Sequence, residues 1–460
     1  MRRIPSTGAQ AHLTQAQPRR GVAIALAAAL SLLGACAQHP AQPAPEVQPE
    51  PARAWSAVSL AELRSVVESM PSHGLPVETR QIAELDRLEA ASHHDAAAAA
   101  ALDAEADALF IRFAQTFAQG ALDPQSIDQH WTIARAPGVD AAQMVEAVRT
   151  SGGVAAILSA QLPATLEYRQ LEDELQRVTS EAQGATDASG LTREARLDHL
   201  RASLERWRWL PRTMPARRID VLVPFFEARL VGFGAVGNRR VIVGVRRMPT
   251  PTFQAEIQSI TLNPSWTPPN SIASAELIPR FRRNPTAAAA EGFEALDASG
   301  QVVDPALIDW RARPFPYVLR QRPGAGNALG RVRFDMPNPF AIYLHDTPGR
   351  NLFERSERTL SHGCIRVDDP VGLAADVLAN PQWSRDALQA EIDTGATQAI
   401  RLDAPLPIFI LYITAAADAN GVVHYADDVY VRDRPLLQQL EHSPARTLAA
   451  LDAGPVRCAG

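Results

Sequence analysis

Apolar residues recur at intervals of three and four positions through the first half of the chain, which is the spacing of one helix face. Two such faces are well defined: Leu60, Leu63, Val66 and Val67, and further on Leu102, Leu109, Phe110 and Phe113. Prolines at positions 71, 137 and 163 interrupt the pattern where helices are expected to end. The pattern predicts an all-helical domain over residues 57–205, with roughly six to eight helices.

The pattern changes near residue 206, where short runs rich in β-branched residues replace the helical spacing. These runs occupy residues 219–223, 240–244, 341–344 and 407–412. Residues 264–340 are rich in Pro, Gly and Asn, which predicts long loops around a mostly β core. We therefore predict an α+β protein, in which the helical domain precedes a mostly β domain over 206–435 and a C-terminal tail over 436–460.

The first 35 residues have the organisation of an export signal. Arg19 and Arg20 precede an apolar run over residues 21–33, which is too short for a membrane-spanning helix. The run ends in Leu-Gly-Ala-Cys at residues 33–36, which resembles the cleavage box of a bacterial lipoprotein. In that interpretation residues 1–35 are removed and Cys36 is lipidated. In the alternative, an ordinary signal is cleaved beside an incidental cysteine.

The next segment, residues 36–56, is rich in Pro, Ala, Gln and Glu. Such a composition cannot bury enough apolar surface to fold, so it predicts a disordered tether. We expect an exported, periplasmic protein that contacts the membrane through the lipid on Cys36. Ala37 follows that cysteine in place of Asp, and by resemblance to other lipoproteins this favours the inner face of the outer membrane.

Charge and cysteine content exclude several classes of function. A net charge of −6 and a pI near 6.0 give no reason to expect a nucleic-acid partner. Only three cysteines are present, too few for a disulfide framework in an exported protein, and Cys458 is expected to be a free thiol. His93 and His94 have no acidic or cysteine partner at ligand spacing, so we expect a solvated helix end and no metal site.

The candidate chemistry lies between residues 343 and 367. A cysteine nucleophile needs a base or a cation nearby, because the thiolate is the reactive form. His345 at a strand end would supply the base for Cys364, and Arg366 would add positive charge. Gly363 leaves the backbone beside the nucleophile unhindered, which suits amides that face an oxyanion. The alternative is a buried structural cysteine with two unrelated histidines.

The whole string weighs against that alternative. A histidine, 15 intervening residues, and then Ser361-His362-Gly363-Cys364 resemble the active-site motif of L,D-transpeptidases with the YkuD-type catalytic domain. Further segments resemble the large YcbB-like branch of that family: residues 204–211, 250–253, 263–269, 326–330, 337–338, 405–407, 412–414 and 430–433. The helical region is less similar, and residues 168–171 are its best match.

This resemblance implies an organisation for the chain. Residues 57–205 would be a scaffold domain and residues 206–435 the catalytic domain, with a loop-rich lid insertion at about 270–325. Members of this branch commonly carry a small peptidoglycan-binding module before the catalytic domain. Residues 172–203 are too short to hold one, so affinity for the cell wall would have to come from elsewhere.

The resemblance also implies a reaction. Cys364 would attack the third residue of a tetrapeptide stem of peptidoglycan and expel the terminal D-Ala. His345 would act as base and then as acid, and amides near Gly363 and Cys364 would hold the oxyanion. The amine of a second stem would resolve the thioester and give a 3→3 cross-link. No metal or organic cofactor is implied, and carbapenems typically inactivate the family.

Supporting roles follow for four further residues. Ser361 is expected to hydrogen-bond locally, and His362 to orient the catalytic loop or to cap a turn. Tyr343, two residues from His345 on one strand, would line the pocket or simply pack on the sheet. Trp266 would contact substrate or pack against other aromatic residues.

Two other functions remain open from the sequence. The same motif would serve a carboxypeptidase or hydrolase that trims stems, cross-links or wall-protein links, because water can replace the acceptor amine. A non-catalytic wall-binding lipoprotein is the second alternative, although the joint presence of His345, Ser361, Gly363 and Cys364 argues against it.

Overall fold

A computed structural model describes residues 54–234 and 236–442 of the chain. The predicted export signal, Cys36, most of the predicted tether and Cys458 lie outside the described residues. Within them, the predicted α+β organisation is confirmed, with helices first and strands after residue 217.

The helical half begins at Trp55 and consists of α1 (Ala57–Ser69), α2 (Thr79–Ser92), α3 (Ala96–Gln119), α4 (Pro124–Ile127), α5 (Ala141–Ser151), α6 (Val154–Ser159), α7 (Leu166–Thr179) and α8 (Arg193–Arg208). The predicted apolar faces on α1 and α3 are buried together in one core. Side-chain caps fix several starts, as where Asp95 accepts from the backbone N–H of Ala97 at α3. Gly120 ends α3 at a φ of 85° with Trp209 against it, where a Cβ would lie 2.5 Å from the indole. Only glycine fits there.

The second half is built on β1 (Arg218–Leu222), β2 (Glu227–Val231), β3 (Arg239–Gly244), β4 (Phe253–Leu262), β5 (Phe293–Leu296), β6 (Val318–Gln321), β7 (Val332–Asp335), β8 (Leu344–His345), β9 (Thr359–Ser361), β10 (Ile365–Val367), β11 (Gln398–Leu411), β12 (Ala415–Ala417) and β13 (Val423–Tyr425). The main sheet has the order β10-β8-β7-β4-β11-β1-β2-β3-β9. Because β3 also pairs with β10, this sheet closes into a barrel. Its apolar interior is a second core, separate from that of the helical half.

The insertion over residues 270–325 contains more regular structure than its composition predicts. It holds α9 (Asn270–Ile272), a π-helical turn at Ala273–Leu277, α10 (Ile278–Arg283), α11 (Pro285–Ala290) and the β5–β6 hairpin. These elements enclose a small core of their own around Phe281, Phe293 and Trp310. The prediction of long loops rested on the Pro, Gly and Asn content, which marks only the turns. The elements between the turns form because aromatic residues pack into this core.

The remaining helices of the catalytic half are α12 (Pro370–Leu378), α13 (Arg385–Asp393) and α14 (Asp433–His442). The last of these corrects the predicted tail over 436–460. Leu436, Leu437 and Leu440 on α14 are buried in the core of the helical half, together with the β12–β13 hairpin. The described part of the predicted tail is therefore a structural element of the scaffold.

Two other boundaries differ from the prediction: the limit between the two domains at 205 and the end of the tether at 56. Helix α8 continues to Arg208, so the boundary at 205 falls inside a helix. At its end, the buried Arg206 donates to Asp433 at 2.5 Å and ties α8 to α14. At the start of the fold, Trp55 is buried and its indole donates to Asp107 at 2.7 Å, so the predicted tether ends before it.

We expect Leu436→Ala to lower the free energy of unfolding by about 2–5 kcal/mol, because it leaves a cavity in a packed core. Leu436 is fully buried, whereas Gln438 on the same helix is exposed. Gln438→Ala is the matched control and should change stability by less than about 0.5 kcal/mol. Urea denaturation of the two variants measures the difference, and equal stabilities would show that α14 does not belong to the core.

Candidate active site

The candidate site lies where two parallel strands of the barrel, β8 and β10, run side by side. Ile365 is aligned with Leu344, and Arg366 with His345. Leu344 and Ile365 are fully buried in the barrel core. Because side chains alternate along a strand, Tyr343, His345, Cys364 and Arg366 all point to the opposite face. The sequence separates His345 and Cys364 by a long loop, and the sheet brings them onto one surface.

On this surface the two residues are diagonal neighbours. Cys364 is level with Tyr343, and His345 lies two residues further along the adjacent strand. Strand spacing and rise place their Cα atoms roughly 8 Å apart, which a thiol and an imidazole can span. In the structure the Cys364 sulfur faces the carbonyl of Ala341 at 3.9 Å. The thiol therefore has to turn from Ala341 toward His345 before a proton can pass between them.

His345 is buried, and its protonation state follows from its contacts. Nδ1 lies 2.5 Å from the backbone carbonyl of Asp346, and because a carbonyl can only accept, Nδ1 must carry the proton. Burial, assisted by the nearby Arg366 guanidinium, lowers the pKa of His345 to about 3. The ring is thus neutral at physiological pH and has an unprotonated Nε2, the form that a general base requires.

Cys364 is half-buried and is held as a thiol at rest. Burial raises the pKa of Cys364 above its ordinary value, although the backbone N–H of Tyr343 and the charge of Arg366 act in the opposite direction. Arg366 lowers the pKa of the thiol, as the sequence predicts, but burial raises that pKa by more. The resting site is a neutral thiol beside a neutral imidazole.

The turn that carries the nucleophile is fixed by hydrogen bonds within and beneath it. The Ser361 hydroxyl donates to the Cys364 carbonyl at 2.5 Å and accepts from the Gly363 N–H at 3.1 Å. Ser361 thus has the local role that the sequence predicts. The Gly363 N–H therefore already has an acceptor and is not free to hold an oxyanion. This corrects the expectation from the sequence that amides near both Gly363 and Cys364 would do so. No acceptor is found for the Cys364 N–H within residues 54–234 and 236–442.

Beneath the turn, two distant segments hold its backbone. Thr250 donates from its hydroxyl to the Gly363 carbonyl at 2.8 Å and accepts from the Gly244 N–H. Tyr430 donates to the Gly244 carbonyl at 2.6 Å and accepts from the Thr250 N–H. A Cβ on Gly244 would lie 3.0 Å from the Gly363 Cα. Thr250, Gly244 and Tyr430 are positioning residues to which the sequence analysis assigned no role, although residues 250–253 and 430–433 carry part of the resemblance.

Asp346, directly after the base, is a second positioning residue that the sequence analysis missed. Its buried carboxylate accepts from the backbone N–H groups of Arg331 and Thr347 and from the Arg350 side chain. These bonds fix the Asp346 carbonyl against Nδ1 of His345. Burial raises the pKa of Asp346, while the two amides and Arg350 act to lower it. Asp346 directly follows His345 in the chain, and this position next to the base is the feature of the sequence that could have indicated its role.

His362 and Trp266 connect the site to the insertion. His362 is exposed and its Nε2 lies 2.8 Å from Oε1 of Glu276, in the π-helical turn of the insertion. It therefore orients the catalytic loop against the insertion and does not contact the sulfur. Trp266 packs against Phe293 with ring centroids 6.1 Å apart and exchanges backbone hydrogen bonds with Gln321. Of its two predicted roles, the structure places Trp266 in aromatic packing.

Tyr343 lies on the same face as His345, as the strand alternation predicts. The Arg333 guanidinium stands over its ring, 5.3 Å from the centroid. Arg333 is itself paired with Asp335 at 2.6 Å. Tyr343 is half-buried, so part of its side chain stays exposed on the face that the strand alternation assigns to Cys364 as well.

The pKa values predict how Cys364 reacts with pH. Because burial raises the pKa of the thiol and lowers that of His345, no thiolate–imidazolium pair forms at neutral pH. The rate of iodoacetamide alkylation should stay low through pH 5–8 and rise only at alkaline pH, above about 8.5. Mass spectrometry of Cys364 alkylation across pH 4–10 measures this, and fast alkylation near pH 6 would contradict it.

The described residues contain no group of three or more histidine, cysteine or acidic side chains placed to hold a metal ion. In the same part of the chain, no helix has the length and apolar character required to cross a membrane.

Comparison with known proteins agrees with this geometry. Residues 226–391 match the YkuD family, the L,D-transpeptidase catalytic domain, and residues 51–175 match the scaffold domain family. A Haemophilus influenzae protein named "Putative L,D-transpeptidase" is 36% identical over 221 residues, which is 47% of this chain and 45% of that protein. The chain thus matches less than half of the length of this relative.

These matches identify the class of protein: a helical scaffold domain joined to an L,D-transpeptidase catalytic domain on a closed barrel. The chain therefore combines a scaffold domain with a YkuD-type L,D-transpeptidase catalytic domain, which is the YcbB-like domain architecture.

Proposed function

We propose that this protein is an L,D-transpeptidase that forms 3→3 cross-links in peptidoglycan through a thioester on Cys364. The placement of Cys364 and His345 on one face of the β8–β10 pair, within the matched catalytic domain, carries this proposal. The matched domain supports an acyl-transfer enzyme acting on peptidoglycan, and the shared face of Cys364 and His345 supports their proposed roles as nucleophile and base.

The first half of the reaction is acylation. Nε2 of His345 takes the thiol proton as the Cys364 sulfur attacks the carbonyl carbon of the third residue of a tetrapeptide stem. A C–S bond forms, and the C–N bond to the terminal D-Ala breaks. The proton passes from His345 to the leaving amine. The Cys364 N–H, which is free of an internal acceptor among the described residues, is the proposed oxyanion donor.

The second half transfers the acyl group. The side-chain amine of a second stem attacks the thioester and gives up a proton to His345, which returns it to the sulfur. The new amide is the 3→3 cross-link, and the free thiol is regenerated. If water attacks instead, the same site acts as a carboxypeptidase or hydrolase.

Muropeptide analysis after incubation of the purified enzyme with tetrapeptide-rich peptidoglycan tests this proposal. New 3→3 dimers in the wild type, absent with Cys364→Ala, are the expected result. If only tripeptide stems appear and no dimers form, the enzyme is a carboxypeptidase and the proposed transferase activity is wrong. Unchanged muropeptides, together with failure of a carbapenem to acylate Cys364, would support a non-catalytic wall-binding lipoprotein.

We further propose that the protein is exported and anchored by lipid at Cys36 to the inner face of the outer membrane. The apolar run over residues 21–33 and the Leu-Gly-Ala-Cys box support this proposal. Labelling cells with a radioactive fatty acid should mark the wild type but not Cys36→Ser. Equal labelling of both forms, or label in neither, would contradict the lipid anchor.

A further inference from the structure

Arg366 is a charged side chain of the site without a protein partner. Its guanidinium forms no hydrogen bond or ion pair with any residue in the part of the chain that the structure describes, and its Nε atom is buried. Three other arginines of the catalytic domain are paired: Arg333 with Asp335, Arg350 with Asp346 and Arg240 with Asp368. Buried charges in proteins are normally compensated, so an uncompensated one in a site is suited to an anionic ligand.

The register places this cation on one side of the nucleophile. Arg366 is aligned with His345, and Cys364 is aligned with Tyr343, one step back along both strands on the same face. Burial lowers the pKa of Arg366, so its surroundings favour a bound anion that would offset the charge. The Arg366 charge therefore lies level with His345, two residues along the strand from the level of Cys364 and Tyr343.

The proposed reaction defines which part of the substrate lies there. His345 has to protonate the leaving amine, so the leaving residue must extend from Cys364 toward His345 and therefore toward Arg366. In a peptide, the carboxylate of that residue follows its amine by two bonded carbons. The two strand residues from Cys364 to Arg366 cover about 6.6 Å, a span that the leaving residue and the guanidinium can bridge.

We propose that Arg366 binds the free carboxylate of the leaving residue and so restricts donors to stems that end at that residue. This inference rests on the proposed function. A guanidinium binds a carboxylate through two parallel hydrogen bonds, and a stem extended by a further residue would present a neutral amide at this position. The enzyme would thereby select tetrapeptide over longer stems through charge.

Two matched donors test the inference with the whole protein: a tetrapeptide stem with a free C-terminal carboxylate and the same stem with a C-terminal carboxamide. Release of the fourth residue is followed to separate kcat from KM. The wild type should prefer the acid by about 10- to 100-fold, mainly in KM. Arg366→Gln should remove the preference by weakening the acid donor alone, and Arg366→Lys should keep part of it.

Control variants separate this role from general effects. Arg240→Gln removes a paired surface arginine of the same barrel and should leave the preference intact. Loss of the preference in Arg333→Gln but not in Arg366→Gln would overturn the assignment, as would equal use of both donors by the wild type. If Arg366→Gln fails to fold, Arg366→Lys takes its place: a reduced preference supports the assignment to Arg366, and an unchanged preference overturns it. If the wild type releases the fourth residue from neither donor, the proposed function fails as well.

Discussion

A Cys364→Ser variant is expected to lose acyl transfer by about 10⁴-fold or more, since loss of a covalent nucleophile costs up to about 10⁶ in comparable enzymes. Hydrogen bonds from Ser361 and Thr250 hold the turn that carries the sulfur, and Cys364 is the only cysteine within residues 54–234 and 236–442. Serine keeps the shape of the turn but not the reactivity of the thiol. Intact-mass spectrometry after exposure to a carbapenem should detect the acyl-enzyme in the wild type only.

Cys458→Ser is the matched control, because it removes a thiol remote in sequence from the motif. It should form the acyl-enzyme at the wild-type rate. An acyl adduct that persists in Cys364→Ser and disappears in Cys458→Ser would move the nucleophile to the other cysteine and contradict the site described here.

A His345→Gln variant is expected to lose about 10²–10⁴-fold in the acylation rate, which is the usual contribution of general acid–base catalysis. Glutamine keeps a polar side chain of similar length, but its amide cannot carry a proton from the thiol to the leaving amine. Stopped-flow or rapid-quench acylation with the tetrapeptide donor measures the loss. The activity that remains should rise with pH as the thiol ionises unaided.

His362→Gln distinguishes between the two histidines of the motif. His362 contacts Glu276 of the insertion and not the sulfur, so its loss should slow acylation by less than about tenfold. A larger loss in His362→Gln than in His345→Gln would assign the base to His362.

The nature of the catalytic half was largely predictable from sequence, because its motif is local and specific. The spacing from His345 to Ser361-His362-Gly363-Cys364 indicated a YkuD-type L,D-transpeptidase catalytic domain, which the match over residues 226–391 confirms. Helical periodicity located the scaffold, because burial of one helix face leaves a regular trace in the sequence. The domain limits were less predictable, since Trp55 and α14 join the core through contacts between distant residues.

The roles around the nucleophile depend on such contacts as well. Thr250 and Tyr430 lie more than sixty residues from Cys364 on either side, and only barrel closure brings them beneath its turn. The structure of the insertion could not be predicted from local sequence either, because its composition predicts loops whereas its aromatic residues pack into a core.

Residue identity and local spacing were enough to predict the nucleophile, the base, the order of the two domains and the type of catalytic domain, and the domain matches confirm the last two. Only the folded structure shows the burial that lowers the pKa of His345 and raises that of Cys364, and only it shows that Arg366 has no partner among the described residues. Protonation and pairing depend on burial and on neighbours across the β8–β10 ladder. Those neighbours are set by the closed sheet and not by proximity along the chain.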